Sequence, residues 1–146
     1  MSKKEIIAFY LPQYHPIPEN NEWYGPGFTE WTNVGKAKPL FHGHYQPIVP
    51  ADLGYYDLRL PDVRQTQADL AKEAGVSAFC YYHYWFGNGR QLLEMPLREV
   101  VKTKSPDLPF CICWANHTWY KKMWSAEHNM LDMQAIMPQE YPGKED

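Results

Sequence analysis

The stretch Pro61-Asp62-Val63-Arg64-Gln65-Thr66-Gln67-Ala68-Asp69-Leu70-Ala71-Lys72-Glu73-Ala74-Gly75 runs straight into Val76-Ser77-Ala78-Phe79-Cys80-Tyr81-Tyr82-His83-Tyr84-Trp85, and its reading decides the fold. A proline early, Asp62 in the first turn and apolar Val63, Leu70, Ala71 and Ala74 at helical spacing predict a helix that Gly75 stops. Val76–Trp85 follows as an apolar, aromatic-rich strand. Upstream, Ile6–Leu11 is a continuous run of β-branched and aromatic residues without the alternation of a half-exposed strand, so it is expected to be covered on both faces. Strand, helix, strand in this order predicts a right-handed parallel crossover.

The pattern repeats downstream. Leu92, Leu93, Leu97, Val100 and Val101 form a second amphipathic stretch in which Pro96 starts or kinks the helix. Ser105–Pro109 reads as a turn and Phe110–Ala115 as a third strand. Past Trp124 the signal weakens, with Met130, Met133 and Met137 spaced for a short helix before a polar tail from Pro138 to Asp146. Residues 15–56 make a long Pro- and Trp-rich connection, a length usually associated with function. The fold class expected is α/β, about three parallel strands with crossover helices and a long first loop, as in part of a (β/α)8 TIM-type barrel. A complete barrel takes about 250 residues, and a bare three-stranded sheet leaves two open edges. The chain is therefore expected either to be part of a longer barrel or to associate with another copy.

With 146 residues, 45% of them hydrophobic, the sequence has material for one domain with a real core, taken as residues 1–146. The formal charge of −3 supplies no basic field, so no nucleic-acid partner is expected. Three cysteines, Cys80, Cys111 and Cys113, lie in strand-like runs; the odd count argues against a disulfide framework and for reduced core thiols. Pro12 and Gln13 interrupt the first apolar run before signal-peptide length, and no run approaches the roughly 20 apolar residues of a membrane span. A cytoplasmic location is expected. Phosphate-loop, dinucleotide and Gly-x-Ser-x-Gly fingerprints are missing, and no cofactor is expected. His42-Gly43-His44 with Asp52 lacks the regular scaffold of a metal site, and no metal is expected either.

Chemistry gathers at the predicted strand ends. Phe9-Tyr10-Leu11-Pro12-Gln13-Tyr14-His15, Phe79 to Phe86, and Cys113-Trp114-Ala115-Asn116-His117-Thr118-Trp119 set rings beside amides and imidazoles. A pyranose presents a C–H face that packs on a ring and a rim of hydroxyls that needs fixed donors and acceptors. Any one of these rings also suits a strand core; three repetitions favour a sugar site. In α/β folds reactive groups collect beyond the carboxyl ends of the strands, which places Gln13, His15, His83, Tyr84, Asn116 and His117 at one rim. A single histidine is usually structural, but here three stand at successive strand ends. Glu30, in Phe28-Thr29-Glu30-Trp31-Thr32, can bridge sugar hydroxyls or act as a general acid; a solvated loop glutamate is the alternative. Asp57 is expected to cap the turn that follows it.

Phe9-Tyr10-Leu11-Pro12-Gln13-Tyr14-His15, Gly27-Phe28-Thr29-Glu30-Trp31-Thr32-Asn33-Val34, His44-Tyr45-Gln46-Pro47, Asp52-Leu53-Gly54-Tyr55-Tyr56-Asp57 and Cys113-Trp114-Ala115-Asn116 closely resemble the WbsX-type proteins of bacterial surface-polysaccharide loci. The likeness covers nearly the whole chain, with the motifs in the family's order. It implies carbohydrate chemistry on a TIM-type scaffold in lipopolysaccharide O-antigen or capsule assembly. These proteins are named glycosyltransferases and look like relatives of the endo-acting mannosidases of glycoside hydrolase family 99. Two departures stand out. His117 occupies the place where the family commonly has glutamate, and the relatives' late Asn-Glu-Trp-x-Glu-like motif does not occur before Asp146. The chain is thus expected to be the amino-terminal portion of such a protein.

Two readings follow. In the first, the chain is the amino-terminal part of a glycan-active barrel whose remaining portion supplies acid and nucleophile, with Glu30 and His117 as the catalytic candidates on this part and the isolated chain inactive. Tyr10, Gln13, His15, Trp31, His83, Tyr84, Trp114 and Asn116 then position the sugar, and in its fullest version Glu30 pairs with a second carboxylate across the glycosidic bond. In the second, it is a non-catalytic carbohydrate-binding or structural module that completes its sheet by self-association. Transferase and hydrolase chemistry stay open alternatives.

Overall fold

A computed structural model describes residues 4–125 and 130–144, without the side chains of 122–132. The chain is a mixed α/β fold. Its elements are β1 (Ile7–Tyr10), α1 (Pro18–Tyr24), α2 (Glu30–Lys36), α3 (Pro61–Glu73), β2 (Ala78–Trp85), β3 (Gln91–Leu92), α4 (Met95–Thr103), β4 (Phe110–Trp114), β5 (Trp119–Ser125) and β6 (Met130–Met137). The central strand β2 pairs in parallel with β1 on one side and β4 on the other, from Ile7 opposite Ala78 to His83 opposite Trp114. The short β3 folds back antiparallel on the end of β2, and β5 and β6 form a separate antiparallel ribbon.

The helix that decides the fold forms as its sequence predicts. Pro61 stands in its first turn, and its end is a Schellman motif: Gly75 N–H donates to the Lys72 carbonyl and Val76 N–H to that of Ala71, with Gly75 at φ +83°. The helix lays Ala68, Ala71 and Val63 on Tyr10, Phe79 and Tyr81, with Leu58 and Leu108 closing the cluster. Arg64 is buried in the same layer, where Nη1 donates to the carbonyls of Leu58 at 2.7 Å and Arg59 at 3.2 Å. A second cluster, Tyr84, Phe86, Leu92 and Leu93, sits at the carboxyl end of β2. Leu58 and Phe86 are wholly buried, and truncating such a phenylalanine to alanine typically costs about 3–5 kcal/mol.

Four expectations need correction. β1 is not covered on both faces: Tyr10 is 8% exposed, whereas Ile7 and Phe9 are 53% and 66% exposed. Parallel pairing puts Ile7, Phe9, Cys80 and Cys111 on the face opposite α3, and among the described residues no second layer covers it. The same placement makes Cys111 an exposed thiol and not a core one, although all three cysteines are free. The long first connection is not structureless, since it carries α1 and α2. Finally, Met130, Met133 and Met137 fall on strand β6: they are paired through its backbone with β5, and a partner strand outweighs a weak helical spacing. The second amphipathic stretch is helical from Met95 only, because Leu92 belongs to β3. Of the polar tail, the last two residues lie outside the described ones.

Candidate functional site

A cleft of about 680 Å³ opens between the α1–α2 segment and the foot of the β5–β6 ribbon. Its walls are Gln13, Asn20, Tyr24, Phe28, Glu30, Asn33, His117, Thr118, Trp119, Tyr120 and Met133.

Local sequence explains how each wall is held. Helix α2 starts at Glu30 because Thr29 caps it: Thr29 Oγ1 accepts from Trp31 N–H at 3.2 Å, and Thr32 Oγ1 accepts from Thr29 N–H at 3.4 Å. Glu30 N–H donates to the Gln13 carbonyl at 3.1 Å, which ties the helix start to the end of β1. Glu30 is thus a helix-start residue and not a loop residue. Asn33 Nδ2 donates to Glu30 Oε2 at 3.3 Å. Trp31 points away from the cleft as an anchor, with Nε1 donating to the Tyr56 carbonyl at 2.8 Å and its ring against Tyr14, Tyr55 and Tyr56.

The aromatic walls are equally determined. Gly27 N–H donates to Asn21 Oδ1 at 2.8 Å in the turn after α1, and the turn brings Phe28 back onto Tyr24 with ring centroids 4.5 Å apart and planes at 29°. Trp119 seats the ribbon's foot on the second core cluster, edge-on to Tyr84 at 5.0 Å and Phe86 at 5.6 Å. Lys121 Nζ donates to the Trp23 carbonyl at 2.7 Å and stands 5.9 Å from the Tyr24 ring centroid, so ribbon and α1 are joined across the cleft's end.

The residues predicted from sequence divide sharply. Gln13, Glu30 and His117 share the cleft. Tyr84 stands behind Gln13, whose Nε2 donates to the Tyr84 hydroxyl at 2.9 Å; burial pushes the Tyr84 pKa up to about 12. Tyr10 is in the α3-side core, its hydroxyl donated to Gln67 Oε1 at 2.6 Å. Trp114 donates its indole N–H to the Trp85 carbonyl at 2.8 Å, and the Asn116 carbonyl accepts from Tyr141 at 3.0 Å. His83 is half-buried on β2, where burial lowers its pKa and Glu94 partly opposes that. His15 is 2% exposed and borders a different, smaller hollow on the far flank of α1, with Ile17, Arg59, Leu92 and Glu94. The single rim expected for the three histidines is therefore not formed: the Gln13–Tyr14–His15 segment turns at the strand end, which sends Gln13 and His15 to separate hollows. Asp57 does cap its turn, accepting from Arg59 N–H at 2.9 Å.

Sequence reasoning did not single out Asn20, Tyr24, Asn33, Tyr120 or Met133. Tyr24 and Phe28 astride Gly25-Pro26-Gly27 were the available signal, since a tight turn there makes two rings neighbours. Among the described lining residues Glu30 is the single carboxylate, so they bring no second carboxylate to pair with it. Among the described residues no three His, Cys, Asp or Glu side chains are grouped to hold a metal. No helix in them is long and apolar enough to cross a membrane.

Two relatives, each named uncharacterized protein WxcX, come from Xanthomonas campestris pv. campestris strains B100 and ATCC 33913. Each is 55% identical over 130 residues, covering 89% of this chain but 19% of the relative. The chain thus spans about a fifth of the relatives' length. No solved structure matches it. The profile of the family described as Glycosyltransferase WbsX matches residues 6–146, nearly the full length, and the chain belongs to that family.

Proposed function

We propose that the chain supplies a sugar site of a glycan-active WbsX protein, formed by the cleft between α1–α2 and the β5–β6 ribbon, with Glu30 and His117 as its acid–base groups. The observation that carries this reading is that Glu30 and His117, nearly ninety residues apart in sequence, line one ring-walled cleft. Tyr24, Phe28 and Trp119 offer faces for a pyranose, and Gln13, Asn20 and Asn33 offer amides for its hydroxyls. At 680 Å³ the cleft is of the size that takes a small ligand.

In the reaction, His117 as general acid gives its proton to the glycosidic oxygen while the C–O bond to the anomeric carbon breaks. The Glu30 carboxylate as general base takes the proton of the incoming hydroxyl, from water in hydrolysis or from an acceptor sugar in transfer, as that oxygen bonds to the anomeric carbon. In the finer structural reading, β1, β2 and β4 are consecutive strands of a (β/α)8 barrel serving surface-polysaccharide assembly in the cytoplasm. The parallel order and the helices between the strands support it.

The full chain titrated with neutral oligosaccharides should shift NMR signals of the Trp119 and Gln13 side chains. Glu30→Gln and His117→Gln should each abolish sugar release or transfer while binding persists. Shifts confined to surfaces away from the cleft would overturn the assignment. A second reading, a self-associating carbohydrate-binding module without turnover, is favoured by the exposed apolar face at Ile7 and Phe9. It predicts binding without turnover in the wild-type chain, and a dimer or larger species in sedimentation.

A further inference from the structure

The electrostatics of the cleft narrow the sugar it takes, and this step rests on the glycan reading above. Among the described lining residues there is one carboxylate, Glu30, and no lysine or arginine. The remaining polar groups are three side-chain amides, the Thr118 hydroxyl, the His117 imidazole and tyrosine hydroxyls, none of which offsets an anion with a fixed positive charge. One cation stands close by, but Lys121 gives a hydrogen bond to the Trp23 carbonyl and does not belong to the lining.

Glu30 itself is only partly engaged. Oε2 accepts the Asn33 amide at 3.3 Å, a long bond, while Oε1 has no hydrogen-bond donor among the described residues. Its lining neighbours Tyr24 and Phe28 are stacked rings whose faces attract cations. The Lys121 ammonium already stands 5.9 Å from the Tyr24 centroid, so the cation attraction left to a sugar ammonium is chiefly that of Glu30 and the Phe28 ring. Burial first, and the charge of Glu30 in addition, raise the pKa values of Tyr14 and Tyr24.

We propose that the cleft selects a hexosamine unit with a free, protonated amine, the ammonium meeting Glu30 beside the Tyr24 and Phe28 rings, and rejects sugars that carry carboxylate or phosphate. A sugar borne on a nucleoside diphosphate would bring its negative charges toward Glu30 with no lining cation to offset them.

The test is calorimetric titration of the full chain with four methyl glycosides: glucosaminide, N-acetylglucosaminide, glucoside and glucuronide. The glucosaminide should bind roughly three- to fivefold tighter than the glucoside, the usual yield of a partly exposed ion pair. The advantage should shrink as salt is added. The N-acetyl sugar should fall back to the level of the glucoside, and the glucuronide should bind most weakly. In Glu30→Gln, with its circular dichroism unchanged, glucosaminide and glucoside should bind equally. Equal binding of glucosaminide and glucoside to the wild-type chain overturns the proposal, as does a glucuronide that binds best or an N-acetyl sugar that keeps the full advantage. Each of these leaves the sugar site itself standing, whereas no binding of any of the four overturns both readings. The salt series on the wild-type chain decides the charge question even if the variant fails to fold.

Discussion

Gln13 gives its side-chain amide to the Tyr84 hydroxyl at 2.9 Å, joining the segment after β1 to the end of β2 directly behind the candidate cleft. The same residue accepts the Glu30 N–H on its carbonyl, so one side chain and one carbonyl fix the relation between the sheet and the start of α2. Tyr84→Phe removes the acceptor and leaves the Gln13 amide with one bond fewer in a partly buried place. That should cost about 1 kcal/mol in urea unfolding, within the usual range for a hydrogen bond whose partner is deleted. Gln13→Ala should lower stability by a similar amount and in addition weaken sugar binding, because the amide also faces the cleft. A Tyr84→Phe chain that binds sugar normally while Gln13→Ala does not would separate positioning from contact.

Thr29 determines where Glu30 stands. Its hydroxyl caps α2, and Thr29→Ala should cost about 1 kcal/mol and let the helix start fray. Thr29→Ser and Thr29→Asp retain the acceptor and should lose little. The useful comparison is of thermal melts with sugar titrations across the three variants. Ala alone should fall in both, and equal behaviour of all three would show that the cap does not position Glu30.

The parts of the fold that local rules govern were legible in the sequence. Pro61 and Gly75 bracket α3 through a missing N–H and a positive φ, both properties of single residues. The three parallel strands announced themselves as apolar runs. The ribbon did not: β5 contains Lys121 and Lys122 and β6 contains Asp132 and Gln134, and such strands are defined by pairing with each other more than by propensity. At the site, Glu30 and His117 could be picked out because their neighbours were unusual. That they share a cleft depends on the Gly25-Pro26-Gly27 turn and on Trp119 docking against Tyr84, contacts made between segments far apart in sequence. His15 illustrates the converse. Its position two residues after Gln13 suggested a shared site, yet the chain turns between them.

His15 predicts a pH response. It is almost wholly buried, and among the described residues neither ring nitrogen has a well-formed hydrogen bond. Burial holds its pKa below the ordinary 6.5, while Asp57, the Pro12 backbone and Glu94 raise it in part and Arg59 lowers it. Because the folded chain binds this proton less readily than the unfolded chain, the stability it confers is complete above pH 6.5 and is lost as the pH falls through that value toward the lower folded pKa. Urea midpoints should therefore decline on the acid side of 6.5. In His15→Phe that component of the decline should vanish, leaving the slope due to carboxylates at lower pH. An unchanged profile in His15→Phe would show that the fold does not shift the imidazole's pKa.

Gly87 predicts a steric effect at the base of the ribbon's return. The segment after β6 is strapped to the β2–β3 turn: Glu140 N–H donates to the Phe86 carbonyl at 2.9 Å, and Arg90 pairs with the Glu140 carboxylate at 2.8 Å. Gly87 sits beneath the strap at φ +88°, where an added Cβ would stand 2.7 Å from the Glu140 carbonyl oxygen. Two penalties combine in Gly87→Ala, an unfavourable left-handed backbone and a clash with backbone that no side-chain rotation relieves. The loss should be at least about 1–2 kcal/mol in thermal or urea unfolding. Gly89 also has positive φ but open space around its Cβ position. Gly89→Ala should therefore show the backbone penalty alone and be the milder of the two. Equal losses at both positions would mean that the strap yields to a methyl group and that Glu140 is not held against Gly87 in solution.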